Sequence, residues 1–141
     1  DRGVVQVGFA MRLNQVTVTV RNIDESVAFY RVLGLKCIVL SPHYARFECP
    51  EGGSTFSIHI AEPGQNLASS TTVYFESDRL DDWCAELATK GITFESPPED
   101  QRWLWREARL RDPSGNAICL YSAGENRLNP PWRLKEEENK A

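Results

Sequence analysis

A carboxylate, a guanidinium and a thiol lie close together toward the end of this chain, as Glu107, Arg109 and Cys119. A buried carboxylate acts as a general base when burial raises its pKa. A guanidinium grips a carboxylate or phosphate through paired N–H donors. A thiol becomes a nucleophile or a metal ligand once it loses its proton. Trp103, Trp105 and Tyr121 stand at the same strand parity as these groups. Two tryptophans beside an ion pair are uncommon on an exposed strand face. They suit a cavity that binds a small, partly aromatic anion, with Arg109 on the charge and an indole face on the ring. His59 alternates with Ile58 and Ile60 and so opposes two core residues. It reads as a hydrogen-bonded cavity histidine, a general base or a metal ligand. Cys119 reads either as a small buried hydrophobe or as a thiolate. His43, in SPHYA, sits near a turn and reads as a surface residue.

These side chains need elements to hold them. RDPSGNAICLY (111–121) is a hairpin turn followed by a strand, since Asp112-Pro113-Ser114-Gly115-Asn116 is dense in turn formers. Strand side chains alternate between faces. Ile118 and Leu120 therefore share a core face, and Ala117, Cys119 and Tyr121 share the other. On WLWREARL (103–110) the same rule sets Ala108 and Leu110 against Trp103, Trp105, Glu107 and Arg109. Upstream, NQVTVTV (14–20) alternates and is β-branched, which predicts a strand. A helix is expected from an Asp24 cap to Gly34. KCIVL, YARFE and STFSIHI follow as strands. PGQNLASS (63–70) is a linker by composition. The order then repeats: strand TTVYFES, a helix capped by Ser77 or Asp78 and ending at Gly91, and strands ITFES, WLWREARL and NAICLY.

The expected class is α+β, built of two βαβββ modules. Gln15 stands to Thr72 at the same offset as Gly34 to Gly91. A helix covers one face of each sheet, so two open faces are left to form a paired, cupped mixed sheet around a central cavity. A chain of 141 residues with 41% hydrophobic and 26% charged residues is an ordinary globular domain. Its net charge of −4 and lack of a basic stripe argue against a nucleic-acid partner. No apolar run is long enough to span a membrane. Four cysteines without a C-x-x-C pair suit a cytoplasmic protein with reduced thiols. Residues 1–12 read as a leader or N-terminal extension, with Met11 a natural start. Module one spans 13–62, the linker 63–70, module two 71–123 and a tail 124–141. In that tail KEEENKA reads as a solvated end, while Pro130-Pro131-Trp132 is stiff and carries an indole that needs covering.

QVTVTVRNIDESVAFYRVLGL near the start and LRDPSGNAICLY near the end resemble the vicinal oxygen chelate superfamily. That superfamily includes glyoxalase I, bleomycin-resistance proteins and extradiol dioxygenases. The resemblance covers about residues 13 to 123 and implies paired βαβββ modules. It implies metal ligands on the inward faces of strands one, four, five and eight, here Gln15, His59, Thr72 and Cys119. The usual set is His or Gln, Glu, His, Glu, so this chain matches it at Gln15 and departs at the other three. Gln15, His59 and Cys119 can still hold one divalent metal with a water, since an open site needs three protein ligands; the alternative is no cofactor. Thr72 and Gln15 otherwise serve a bound molecule as hydrogen-bonding groups. The resemblance implies a small-molecule-binding protein of the bleomycin-resistance type. The alternatives are a divalent-metal-dependent lyase, isomerase or dioxygenase, and a metal-free enzyme using Glu107, His59 or Cys119. It also implies a homodimer.

Overall fold

The computed structural model describes residues 9–135. Residues 1–8 of the expected leader and 136–141 of the expected solvated end lie outside them. The first module runs β1 (Gln15–Val20), α1 (Ile23–Leu33), β2 (Lys36–Leu40), β3 (Tyr44–Glu48) and β4 (Thr55–Ile60). The second repeats the order as β5 (Thr72–Glu76), α2 (Leu80–Thr89), β6 (Ser96–Asp100), β7 (Arg106–Arg111) and β8 (Ala117–Ser122). Each module is one open four-stranded mixed sheet, ordered β1-β4-β3-β2 and β5-β8-β7-β6. The β1–β4 and β5–β8 pairs are parallel and the rest antiparallel. The architecture is therefore α+β with two repeated modules.

Local chemistry accounts for the helices. In α1, Ile23, Val27, Tyr30 and Leu33 form the buried stripe. Asp24 and Glu25 lie in its first turn, where the helix dipole favours negative charge. The cap is Asn22 and not Asp24, because the Asn22 side chain accepts from the Glu25 amide at 2.8 Å. Gly34 closes the helix at φ 117°, a conformation costly for other residues. In α2, Leu80, Cys84 and Leu87 are buried. Neither Ser77 nor Asp78 caps it. The Ser77 hydroxyl instead accepts from the Arg79 amide at 3.1 Å, making a turn just before the helix starts.

The sixth strand differs from its expected place. ITFES is irregular up to Glu95, and the strand is Ser96–Asp100, which contains Pro97 and Pro98. Prolines argue against a central strand, but β6 is an edge strand whose outer side needs no donors. Its register shifts between Ser96 and Glu99, where the prolines sit. WLWREARL is also shorter as a strand than expected. Residues 101–105 form a turn in which Leu104 takes φ 69°, and β7 begins at Arg106.

One core joins both modules. It contains Val20, Tyr30, Phe47 and Ile58 from the first and Leu87, Leu110, Ile118 and Leu120 from the second. Phe56 meets Phe75 edge-on at 5.5 Å, and Trp83 Nε1 donates to the Leu33 carbonyl at 3.1 Å. The D-P-S-G-N turn is a second tie. Asp112 is buried, and its Oδ1 accepts from the amides of Ser114 and Asn116. Its Oδ2 accepts from Tyr30 Oη at 2.7 Å and Asn116 Nδ2 at 2.8 Å. Asn116 Nδ2 also donates to the Thr19 carbonyl, and Ser114 Oγ accepts from the Arg21 amide. The turn that starts β8 is thus bolted to the first module.

Candidate functional site

Core packing sets the parity of the open face. Ala108, Leu110, Ile118 and Leu120 point to the core, which turns Glu107, Arg109, Cys119 and Tyr121 the other way. Arg109 and Cys119 are register partners on β7 and β8, as are Glu107 and Tyr121. On β5, Tyr74 pairs with Cys119, Glu76 with Tyr121 and Thr72 with Ala117. The open face of the second sheet therefore carries three rows, Thr72–Ala117–Arg111, Tyr74–Cys119–Arg109 and Glu76–Tyr121–Glu107.

Glu107 is the hub of this face. It is 3% exposed, an unusual place for a carboxylate, and both its oxygens are engaged. Oε2 accepts from Trp103 Nε1 at 2.8 Å and Oε1 from Arg109 Nη2 at 2.8 Å. The Arg109 guanidinium stands 5.8 Å over the Tyr74 ring. Burial alone would lower the Arg109 pKa, but the Glu107 hydrogen bond and then Tyr74 raise it, so it stays charged. Among the described residues its Nε and Nη1 make no hydrogen bond, so they remain donors for a ligand.

Aromatic rings wall the rest. Trp105 stacks on Tyr121 at 4.6 Å and 16°, and Tyr74 meets both edge-on at 6.1 and 5.6 Å. The C-terminal segment fixes the wall from one side. Trp105 Nε1 donates to the Asn126 carbonyl at 3.3 Å, and Arg127 pairs with Glu76 at 3.6 Å. Cys119 lies beneath the rings, fully buried, and donates to its neighbour's carbonyl at 3.8 Å. Burial, and after it the Glu107 charge, push its thiol up to about 12, with Arg109 opposing. It holds its proton at neutral pH, so the unliganded face carries a thiol and not a thiolate.

The structure brings Thr72, Trp105, Glu107, Arg109, Cys119 and Tyr121 to one face, with Trp103 on Glu107. Gln15 and His59 belong to the open face of the first sheet. Gln15 Oε1 accepts from Thr55 Oγ1 at 2.7 Å, and His59 Nδ1 bonds the Ile60 carbonyl at 2.8 Å. Beside them, Thr17 and Ser57 share a hydroxyl hydrogen bond, and Arg46 Nε donates to Tyr44 Oη at 2.9 Å. The Ser57 hydroxyl, and after it Arg46, lower the Tyr44 pKa against the pull of burial. Tyr74 and Glu76 escaped the sequence reading, although their i+2 and i+4 spacing from Thr72 marks the same face. Tyr44 and Arg46 escaped it as well, because only β3–β4 pairing sets Tyr44 opposite His59.

The ligand set implied by the resemblance can be tested against these contacts. Cys119 is enclosed with its proton, Gln15 Oε1 accepts from Thr55, and His59 bonds a carbonyl through Nδ1, which leaves its Nε2 open. Among the described residues no group of three or more His, Cys, Asp or Glu is placed to hold a metal ion. Gln15 and His59 stand on the first sheet and Thr72 and Cys119 on the second, so the implied set is divided between the two sheets of the chain.

Residues 12–120 match the family model described as the Glyoxalase/Bleomycin resistance protein/Dioxygenase superfamily. The chain belongs to that superfamily. Solved structures of the superfamily share its fold. A glyoxalase/bleomycin resistance protein/dioxygenase from Nocardioides is 24% identical, covers 93% of each chain and has a TM-score of 0.71. A bleomycin resistance determinant encoded on the transposon Tn5 is 23% identical over 81% of this chain and 99% of its own, with a TM-score of 0.67. Lactoylglutathione lyase from Agrobacterium tumefaciens is 19% identical over 89% and 98%, also with a TM-score of 0.67. No curated protein matches the chain. Among the described residues no helix is long and apolar enough to cross a membrane.

Proposed function

We propose that this superfamily member binds a small, partly aromatic anion on the open face of its second sheet. The buried Glu107 carries the reading. It orients Arg109 and Trp103 at once, leaving a guanidinium with free donors beside an aromatic wall. Trp105 and Tyr121 supply ring surface, and Thr72 supplies a hydroxyl at the end of the face. The held proton on Cys119 favours binding over thiol chemistry. The sequestering role fits the likeness to the bleomycin resistance determinant. Four free cysteines suit a cytoplasmic setting.

The second wall comes from another copy in a homodimer, which sets the Gln15–His59 face opposite the Glu107–Arg109 face. Large exposed apolar side chains support pairing: Phe9, Met11 and Leu13 before β1, and Ile38, Val39 and Leu40 on edge strand β2. Sedimentation at micromolar concentration should give twice the mass of one chain; a single-chain mass rejects the dimer. Calorimetric titration with aryl carboxylates tests the site. Arg109→Ala should weaken binding by about 1.5–3 kcal/mol, the usual value of a hydrogen bond to a charged group. Equal affinity in parent and variant rejects the reading.

A further inference from the structure

The two sheets are built on one plan. The β3–β4 register sets Arg46 opposite Ser57 and Tyr44 opposite His59, and β1–β4 pairing adds Thr17 next to Ser57. On the second sheet the same places hold Arg109 opposite Cys119, Glu107 opposite Tyr121, and Tyr74 next to Cys119. Each open face therefore has an arginine in its middle row. Each arginine is oriented by an oxygen two residues earlier on its own strand, where side chains share a face. Arg109 Nη2 donates to Glu107 at 2.8 Å, and Arg46 Nε donates to Tyr44 Oη at 2.9 Å.

The orienting group makes the difference. Glu107 is a carboxylate that offsets the Arg109 charge. Tyr44 is a phenol, so the Arg46 charge is left unbalanced. Among the described residues Arg46 forms no ion pair, and its Nη1 and Nη2 make no hydrogen bond. The acid on its strand, Glu48, pairs with Lys36 at 3.8 Å. Arg46 is half-buried, and a guanidinium stays cationic with five donors to satisfy. Its Nε is spent on Tyr44, and its carbon stands 5.5 Å from the centre of that ring. The Nη1–Nη2 pair is left, held in place before a ligand arrives, and such a pair grips two oxygens of a carboxylate or phosphate.

We infer that Arg46 is the centre of a second anion site, on the first sheet, which takes a compact oxyanion: a carboxylate or phosphate group. The rest of its row is hydroxyl, with Ser57 and Thr17 sharing a hydrogen bond where the second sheet has Cys119 and Tyr74. Hydroxyls suit a small hydrated anion better than a ring. This site is independent of the Arg109 face and of any assembly.

Tyr44 reports on the site. Ser57, and after it Arg46, lower its pKa against the pull of burial, whereas burial raises Tyr30 and Tyr121. The other titratable groups on this face are His59, whose ring meets Tyr44 edge-on at 6.5 Å, and the Lys36–Glu48 pair two rows away. An anion on Arg46 offsets the charge that favours the phenolate, so it raises the Tyr44 pKa.

The test is a spectrophotometric titration of tyrosinate in the full chain, in chloride and with inorganic phosphate or acetate replacing it at equal ionic strength. In chloride the parent should show an early-ionising tyrosine that is missing in Tyr44→Phe. Phosphate or acetate should move that step to higher pH, saturably. A response to phosphate alone marks a phosphoryl ligand, and a response to acetate a carboxylate. In Arg46→Gln the anion affinity should fall by roughly tenfold or more, the loss expected of one charge-assisted hydrogen bond. Arg109→Ala should respond like the parent, and unchanged melting temperatures show that both variants are folded. No early step in the parent, a step that neither anion moves, or a shift that survives Arg46→Gln overturns the inference. So does a shift lost in Arg109→Ala, which assigns the anion to the second sheet.

Discussion

Removing the Tyr30 hydroxyl tests whether the two modules are coupled through one buried carboxylate. Tyr30→Phe keeps the ring and its packing on Phe29, Phe47 and Phe56. It deletes a single 2.7 Å donor from Asp112, which keeps three others. A hydrogen bond to a charged group contributes about 1.5–3 kcal/mol, so Tyr30→Phe should lose that much. Asp112→Ala is more severe. It orphans the fully buried Tyr30 hydroxyl and the buried Ser114 amide, and it frees the two Asn116 donors toward partial solvent. At about 1–3 kcal/mol per buried orphan, the two together should cost about 2–6 kcal/mol. The double variant decides the mechanism. With Asp112 already absent, the Tyr30 hydroxyl is an unsatisfied group, so its removal should be neutral or stabilising. Urea unfolding of the four proteins at pH 7 gives the cycle. Equal costs for Tyr30→Phe in both backgrounds, or a cost under about 0.5 kcal/mol in the parent, refute the coupling.

Stability should fall on the alkaline side. Cys84 and Cys119 are raised to about 11 and about 12 from 9.0, first by burial, and burial also raises Tyr30 from 10.0. The folded chain therefore keeps protons that the unfolded chain releases. This stability is whole below about pH 9 and is lost as pH rises through the folded values, by roughly 2 kcal/mol from the two thiols at pH 10. A flat urea midpoint between pH 8 and pH 10 contradicts it. Ser26 Oγ is buried without a partner among the described residues. Ser26→Ala should therefore be neutral or stabilising by up to about 1 kcal/mol, read as a raised melting temperature; a marked loss means that the hydroxyl is satisfied.

Sequence alone determined the periodic parts of this protein. Alternation in NQVTVTV and NAICLY and the 3.6-residue spacing in both helices follow from which side chains need burial, and those needs are local. The doubled offset from Gln15 to Thr72 announced two modules. Parity alone turned Cys119 away from Ile118 and Leu120 onto the face with Glu107 and Arg109. Tertiary structure decided what parity cannot express. It made β6 an edge, which is why a Pro-Pro pair sits in a strand. It enclosed Cys119 under Tyr121 and Trp105, and so moved a thiol that could ionise to one that holds its proton. It placed Gln15 and His59 on a different sheet from Cys119, a separation that strand parity alone does not express. It carried Tyr30 onto Asp112 across most of the chain. Charge, desolvation and ring contact depend on distances between residues remote in sequence, and folding alone sets those distances.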